Sequence, residues 1–190
     1  MQEYEKFLFQ RCQNGSSVIM NKNCIIVEPE RMLFLLNKVG KQIHIPSDGR
    51  WMLIPIHTFK ASLGMANLAE YSLEELGRHV FHLGFFGTMQ FHFAHIEGLR
   101  RYLLSEDQIT PDQFLVLLQS ELKPAVSKAV SDILGNRLID YRKIRDEMLP
   151  SISEVVNRVL FSELFSRGIC LHSGSFHIEN ISRPVMKRPA

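Results

Sequence analysis

Eight histidines and three cysteines are the side chains of this sequence whose chemistry could reach beyond packing. His92 and His95 stand three positions apart, and His79 and His82 share that spacing. The alternation around Phe91 and Phe93 predicts a strand. Residues three apart in a strand face opposite sides, so His92 and His95 cannot grip one ion. A helix over 79–82 would bring its pair together, but no nearby Asp or Cys completes a ligand set. Cys12, Cys24 and Cys170 are odd in number and far apart, with no CxxC spacing. That pattern argues against a disulfide framework and a thiolate zinc site, and fits a reducing compartment. No GxSxG elbow is present, and Cys170 falls in a strand expected to face the core. Residues 168–174 lack the lysine and the following helix of a phosphate loop. The carboxylate pairs Glu74-Glu75 and Asp146-Glu147 read as solvated surface. The expectation is a protein that is not an enzyme, with no catalytic residue, no cofactor and no metal.

Composition bounds the rest. The chain has 190 residues, 45% of them apolar and 22% charged, enough for one packed domain of ordinary size. A formal charge of +2 is too small to imply nucleic-acid binding. Arg100-Arg101 beside Tyr102, and Arg137, Arg142, Lys143 and Arg145 beside Tyr141, are basic groups near helix ends. Without a reader helix or an aromatic platform they read as solvated faces, so nucleic acid is not an expected partner. Gln2, Glu3 and Glu5 stand where a secretory leader would be basic, and Gln at position 2 excludes N-myristoylation. The run Met32-Leu33-Phe34-Leu35-Leu36 is far short of the roughly 20 residues that span a bilayer. The expected location is cytoplasmic, with any membrane contact peripheral.

The elements that would position these residues follow from periodicity. Tyr4, Phe7, Leu8 and Cys12 recur at helical spacing, which predicts an amphipathic helix within 1–15 whose apolar face is open to the core, a partner or a membrane surface. Strands are expected over 17–20, 24–27, 30–36, 42–45 and 50–56, separated by turns at Asn21-Lys22-Asn23, Val39-Gly40-Lys41 and Pro46-Ser47-Asp48-Gly49. Residues 57–79 stay open between a short helix over 70–77, with Ser72 and Glu75 as a capping box, and a loop between strands. A long strand begins at Val80, bent at Gly84 and Gly87, and a short helix covers 97–104. Thr110-Pro111-Asp112-Gln113 opens a long helix. Its stripe is Phe114, Leu117, Leu118, Leu122, Ala125, Ala129 and Ile133. Pro124 should kink or split it, and Gly135-Asn136 should end it. A short helix over 140–148 is closed by Pro150. Ser151 and Glu154 cap another, with Ile152, Val155, Val156, Val159, Leu160 and Leu164 as its stripe and Gly168 as its stop. One last strand runs over 169–182, and 185–190 form a basic tail. The fold class is α+β: an N-terminal antiparallel β region, then a strand–helices–strand unit.

This order resembles the SPFH (band 7) superfamily of stomatins, prohibitins and flotillins. It is most similar to the bacterial SPFH proteins labelled virion-core-protein-like. Three anchors carry the resemblance: the strand Phe86-Gly87-Thr88-Met89-Gln90-Phe91-His92-Phe93 with the helix after it; the spacing of helices up to Gly168; and the close through Ile178-Glu179-Asn180-Ile181-Ser182-Arg183-Pro184. The resemblance covers 16–184. It implies a non-enzymatic scaffold or assembly protein that oligomerises with its own copies or related SPFH subunits and associates peripherally with a membrane. The alternative is a protein-binding module within a larger phage-like or secretion assembly. Tyr4, Phe7, Leu8 and Cys12 are the residues expected at the membrane or partner contact.

Overall fold

A computed structural model describes residues 7–19, 23–36, 39–72, 80–135, 143–172 and 177–181. The strands are β1 (Phe9–Arg11), β2 (Ser17–Ile19), β3 (Cys24–Glu28), β4 (Leu33–Leu36), β5 (Gln42–His44), β6 (Met52–Pro55), β7 (Phe59–Ser72), β8 (Val80–Phe93), β9 (Gln108–Ile109), β10 (Ile169–Leu171) and β11 (His177–Ile181). The helices are α1 (Ile96–Ser105), α2 (Pro111–Leu134) and α3 (Leu149–Ser166), the last entered through a π turn at Ile144–Met148. The fold is α+β. Its contacts divide it into two compact units: Met1–Phe59 with Phe91–Val116 and Leu164–Cys170, and Lys60–Gln90 with Leu117–Glu163 and Leu171–Ala190.

The first unit is built on a five-stranded sheet in the order β4-β3-β6-β1-β9, with all neighbouring pairs antiparallel. β2 and β5 form a separate antiparallel pair. Cys12, Val18, Cys24, Ile26, Ile45, Trp51 and Leu53 bury one core cluster. Elsewhere Phe114 meets Phe9, Phe93 and Tyr102 edge to face, with centroids 5.2–6.1 Å apart. Such geometry aligns ring edges with ring faces and adds to area burial.

The helix expected near the N-terminus is corrected here. Phe9–Arg11 is a strand, because long-range backbone bonds outcompete local periodicity. Leu8 N–H donates to Ile109 O at 2.8 Å, Arg11 N–H to Asp107 O at 2.6 Å, and Cys12 N–H to Trp51 O at 2.7 Å. Leu8 and Cys12 are therefore core residues, not a membrane-facing stripe. Phe7 is half-buried, and Tyr4 lies outside the described residues.

Turn chemistry fixes the loops of this unit. Asn14 Nδ2 donates to Ser47 O and Gly49 O, and Trp51 Nε1 to Asp48 O at 2.8 Å, so the Pro46–Gly49 turn is held by two side chains outside it. Gly49 has φ +84°, and a Cβ there would meet the Glu28 side chain at 3.1 Å. Glu28 itself is buried, and its carboxylate accepts the Arg31 N–H at 2.6 Å. That bond closes the β3–β4 turn, in which Met32 takes φ +55°.

The strand β8 pairs with β7, β10 and β11 in one sheet. Residues left open between helix and loop are strand: β7 runs through Ser72, so Ser72 is no helix cap, and 73–79 lie outside the described residues. The expected single last strand is two. β10 and β11 both pair with β8, and the β11 register shifts between Ile178 and Asn180. Cys170 is half-buried, whereas its neighbours Ile169 and Leu171 face the core. α2 buries Leu118, Leu122, Val126, Val130 and Leu134. That stripe excludes Leu117, and the helix passes unbroken through Pro124. Pro124 and Ser120, whose carbonyl loses its N–H partner, both lie on the exposed face, where water offsets the loss. Pro150 is the second residue of α3 and follows directly on the π turn, so the helix runs on through it and does not close there. Ser151 is accordingly a helical residue and not the cap.

Candidate assembly edges

Of the histidines, His95 has a defined structural role. His95 is the N-cap of α1. Its Nδ1 accepts the Gly98 N–H at 3.2 Å, and its Nε2 lies 2.8 Å from Phe165 O. A backbone N–H can only donate and a carbonyl only accept, so the proton sits on Nε2. The His95 ring also stands edge-on to Phe165, with centroids 5.3 Å apart. Ala94 N–H donates to Gly168 O at 2.7 Å. A Cβ on Gly98 would lie 2.2 Å from Gly168 N, so this crossing tolerates only glycine. Residues 94–98 and 165–168 thus form a clasp. Among the described residues no three His, Cys, Asp or Glu side chains group closely enough to hold a metal ion. His79 lies outside the described residues.

Cys12 and Cys24 are buried, and no disulfide joins the three cysteines. Burial, and secondarily the neighbouring Cys24, push the Cys12 thiol up to about 12, so at neutral pH it is an inert packing group. A groove of about 510 Å³ is lined by Gln10, Arg11, Gln13, Asn14, Asp107 and Gln108, together with the buried Cys12. Its charges are spent on one another: Arg11 and Arg50 both reach Asp107 Oδ1, at 3.3 and 3.1 Å. The Asn14 amide is spent on the Pro46–Gly49 turn. No nucleophile–base–acid set is assembled in this groove. Of the basic groups, Arg100 donates to Glu30 O at 3.0 Å, Arg101 lies over the Tyr102 ring, and Arg145 pairs with Asp146. Arg137 and Arg142 lie outside the described residues, as does the tail.

Among the described residues the surface offers an apolar sheet edge at β4. β4 ends the five-stranded sheet, and its sequence is Leu-Phe-Leu-Leu. Leu33 is 46% exposed and Phe34 50% exposed. Natural edges are blunted by charge, proline, bulges or a covering element, and within β4 itself there is no charge and no proline. On α3, Phe161 and Phe165 are one turn apart and both about half exposed. The sequence signal for β4 is the uncharged run 32–36, within the strand expected over 30–36. No described helix is long and apolar enough to cross a membrane. No known family model matches this chain, and no curated protein matches it.

Proposed function

We propose that this chain is a non-enzymatic scaffold that assembles with copies of itself through its β4 sheet edge, in the manner the SPFH resemblance implies. The observation that carries this reading is β4, an edge strand that exposes Leu33 and Phe34 with no charge to repel another strand. The inert Cys12 and the self-paired charges of the groove support the same reading, since neither is poised for chemistry. The cytoplasm is the compartment that suits three cysteines outside disulfides. A membrane-facing N-terminal helix is no part of the proposal, because Leu8 and Cys12 are committed to the core.

The test is mass in solution. Light scattering on the eluting full chain, over a hundredfold concentration range, should show self-association. Phe34→Lys, an exposed substitution that leaves the core alone, should weaken it while circular dichroism stays unchanged. A strict monomer at every concentration sinks the proposal.

A further inference from the structure

The pairing registers of the first unit gather several strand ends on one side. Cys24 pairs with Pro55 and Ile25 with Leu36, so β3 begins where β4 and β6 end. Just beyond, Ile56 N–H donates to Asn23 O at 2.9 Å. β2 ends at Ile19 opposite Gln42, where β5 begins. Four chain steps join Ile19 to Asn23, and three join Val39 to each of Leu36 and Gln42. Those steps reach at most about 14 and 11 Å. Ile19, Val39 and Ile56 therefore share one end of the unit.

All three are exposed, by 58%, 55% and 49% in turn. A single exposed aliphatic is ordinary, but three at one end make a patch. A Cβ on Gly40 would meet nothing within 4 Å, so the turn that carries Val39 stands clear of its surroundings. The turns at the opposite end, 13–16, 29–32 and 46–50, present no exposed large apolar side chain. They carry Glu30, Arg31, Asp48 and Arg50, with Arg31 paired to Asp48. Charge sharpens the contrast. The segments 19–24, 36–42 and 54–59 hold three lysines, at 22, 38 and 41, and no Asp or Glu. Lys41, two positions from Val39, is exposed.

We propose that this end of the first unit docks on an anionic lipid surface. Ile19, Val39 and Ile56 enter the boundary between headgroups and acyl chains, and Lys41 lies among the headgroup phosphates. Charge favours lipid over a second copy. Two copies meeting patch to patch would bring lysines together, with no carboxylate in these segments to neutralise them. Three aliphatic tips on separate turns also suit a soft apolar medium better than a shaped groove. The contact is independent of assembly through β4, and linked copies would add their contacts by avidity.

Vesicle co-sedimentation of the full chain tests this. The chain should pellet with phosphatidylcholine vesicles that contain phosphatidylserine, more weakly with pure phosphatidylcholine, and less as salt rises. Lys41→Ala should weaken binding by about fivefold. The triple change Ile19→Ser, Val39→Ser and Ile56→Ser should weaken it by at least about tenfold, with circular dichroism unchanged. Val39→Trp needs no loss of binding to be read: its emission should shift to the blue when anionic vesicles are added, while the buried Trp51 stays constant. A natural chain that stays in the supernatant overturns the proposal, as does equal binding to both vesicle types. A folded triple variant that pellets like the natural chain, or a Val39→Trp emission that does not move, overturns it too. Self-association lost in the triple variant, without vesicle binding by the natural chain, would make the patch a contact between copies and overturn the lipid assignment. The assembly reading is tested separately, by mass in solution without vesicles.

Discussion

Replacing His95 tests how the clasp of the first unit is held. His95→Ala removes the acceptor that caps α1, worth about 1 kcal/mol. It also removes the Nε2–H donation to Phe165 O, worth about 1 kcal/mol net, and an edge-on ring contact of about 0.5 kcal/mol. The expected loss is about 2–3 kcal/mol, which for a chain of this size lowers Tm by about 5–10 °C. His95→Asn keeps a capping oxygen but cannot reach Phe165, so it should lose about half as much. Thermal unfolding followed by circular dichroism, at fixed pH and concentration, reads both variants. The reasoning is refuted if His95→Ala unfolds within a degree of the natural chain. It is equally refuted if His95→Asn is as unstable as His95→Ala, because the cap would then contribute nothing.

Three further outcomes are expected. Gly98→Ala should cost at least about 3 kcal/mol, measurable as lost soluble yield or a collapsed Tm, because its Cβ would run into the Gly168 backbone. Cys12 should resist a thiol-reactive dye at pH 8 until the chain is unfolded. Because folding raises its thiol from 9.0 to about 12, its contribution is full below about pH 9 and fades as pH rises toward 12, by at most about 4 kcal/mol, as a denaturation series against pH would show. Trp51→Phe, which loses the bond to Asp48 O, should cost about 1–2 kcal/mol by urea titration.

The parts legible in the sequence were those decided locally. Thr110-Pro111-Asp112-Gln113 forms its expected helix start, with Gln113 N–H on Thr110 Oγ1 and Thr110 N–H on Gln113 Oε1. Gly135 and Gly168 end their helices with positive φ, as their positions require. The failures were decided by partners distant in sequence. Residues 9–11 lie between Leu8 and Cys12, two residues of the helical spacing, yet pair with β6 and β9, some 40 and 100 positions away. β7 was missed because its small residues, Ala61, Ser62, Gly64 and Ala66, have weak strand preference, and β8 supplies the pairing. The stripe of α2 was misplaced around Pro124, where Val126 and Val130, not Ala125 and Ala129, turn inward. As for the site, the uncharged run at 32–36 was visible, but its place at a sheet edge depends on the strand order, which no local pattern encodes.

Assembly through the β4 edge is tested most directly by peptide-resolved hydrogen exchange of the full chain at low and high concentration. The account predicts that raising the concentration protects residues 33–36 and leaves α2 and α3 unchanged. Protection confined to other segments, or exchange over 33–36 that is the same at every concentration, would contradict it.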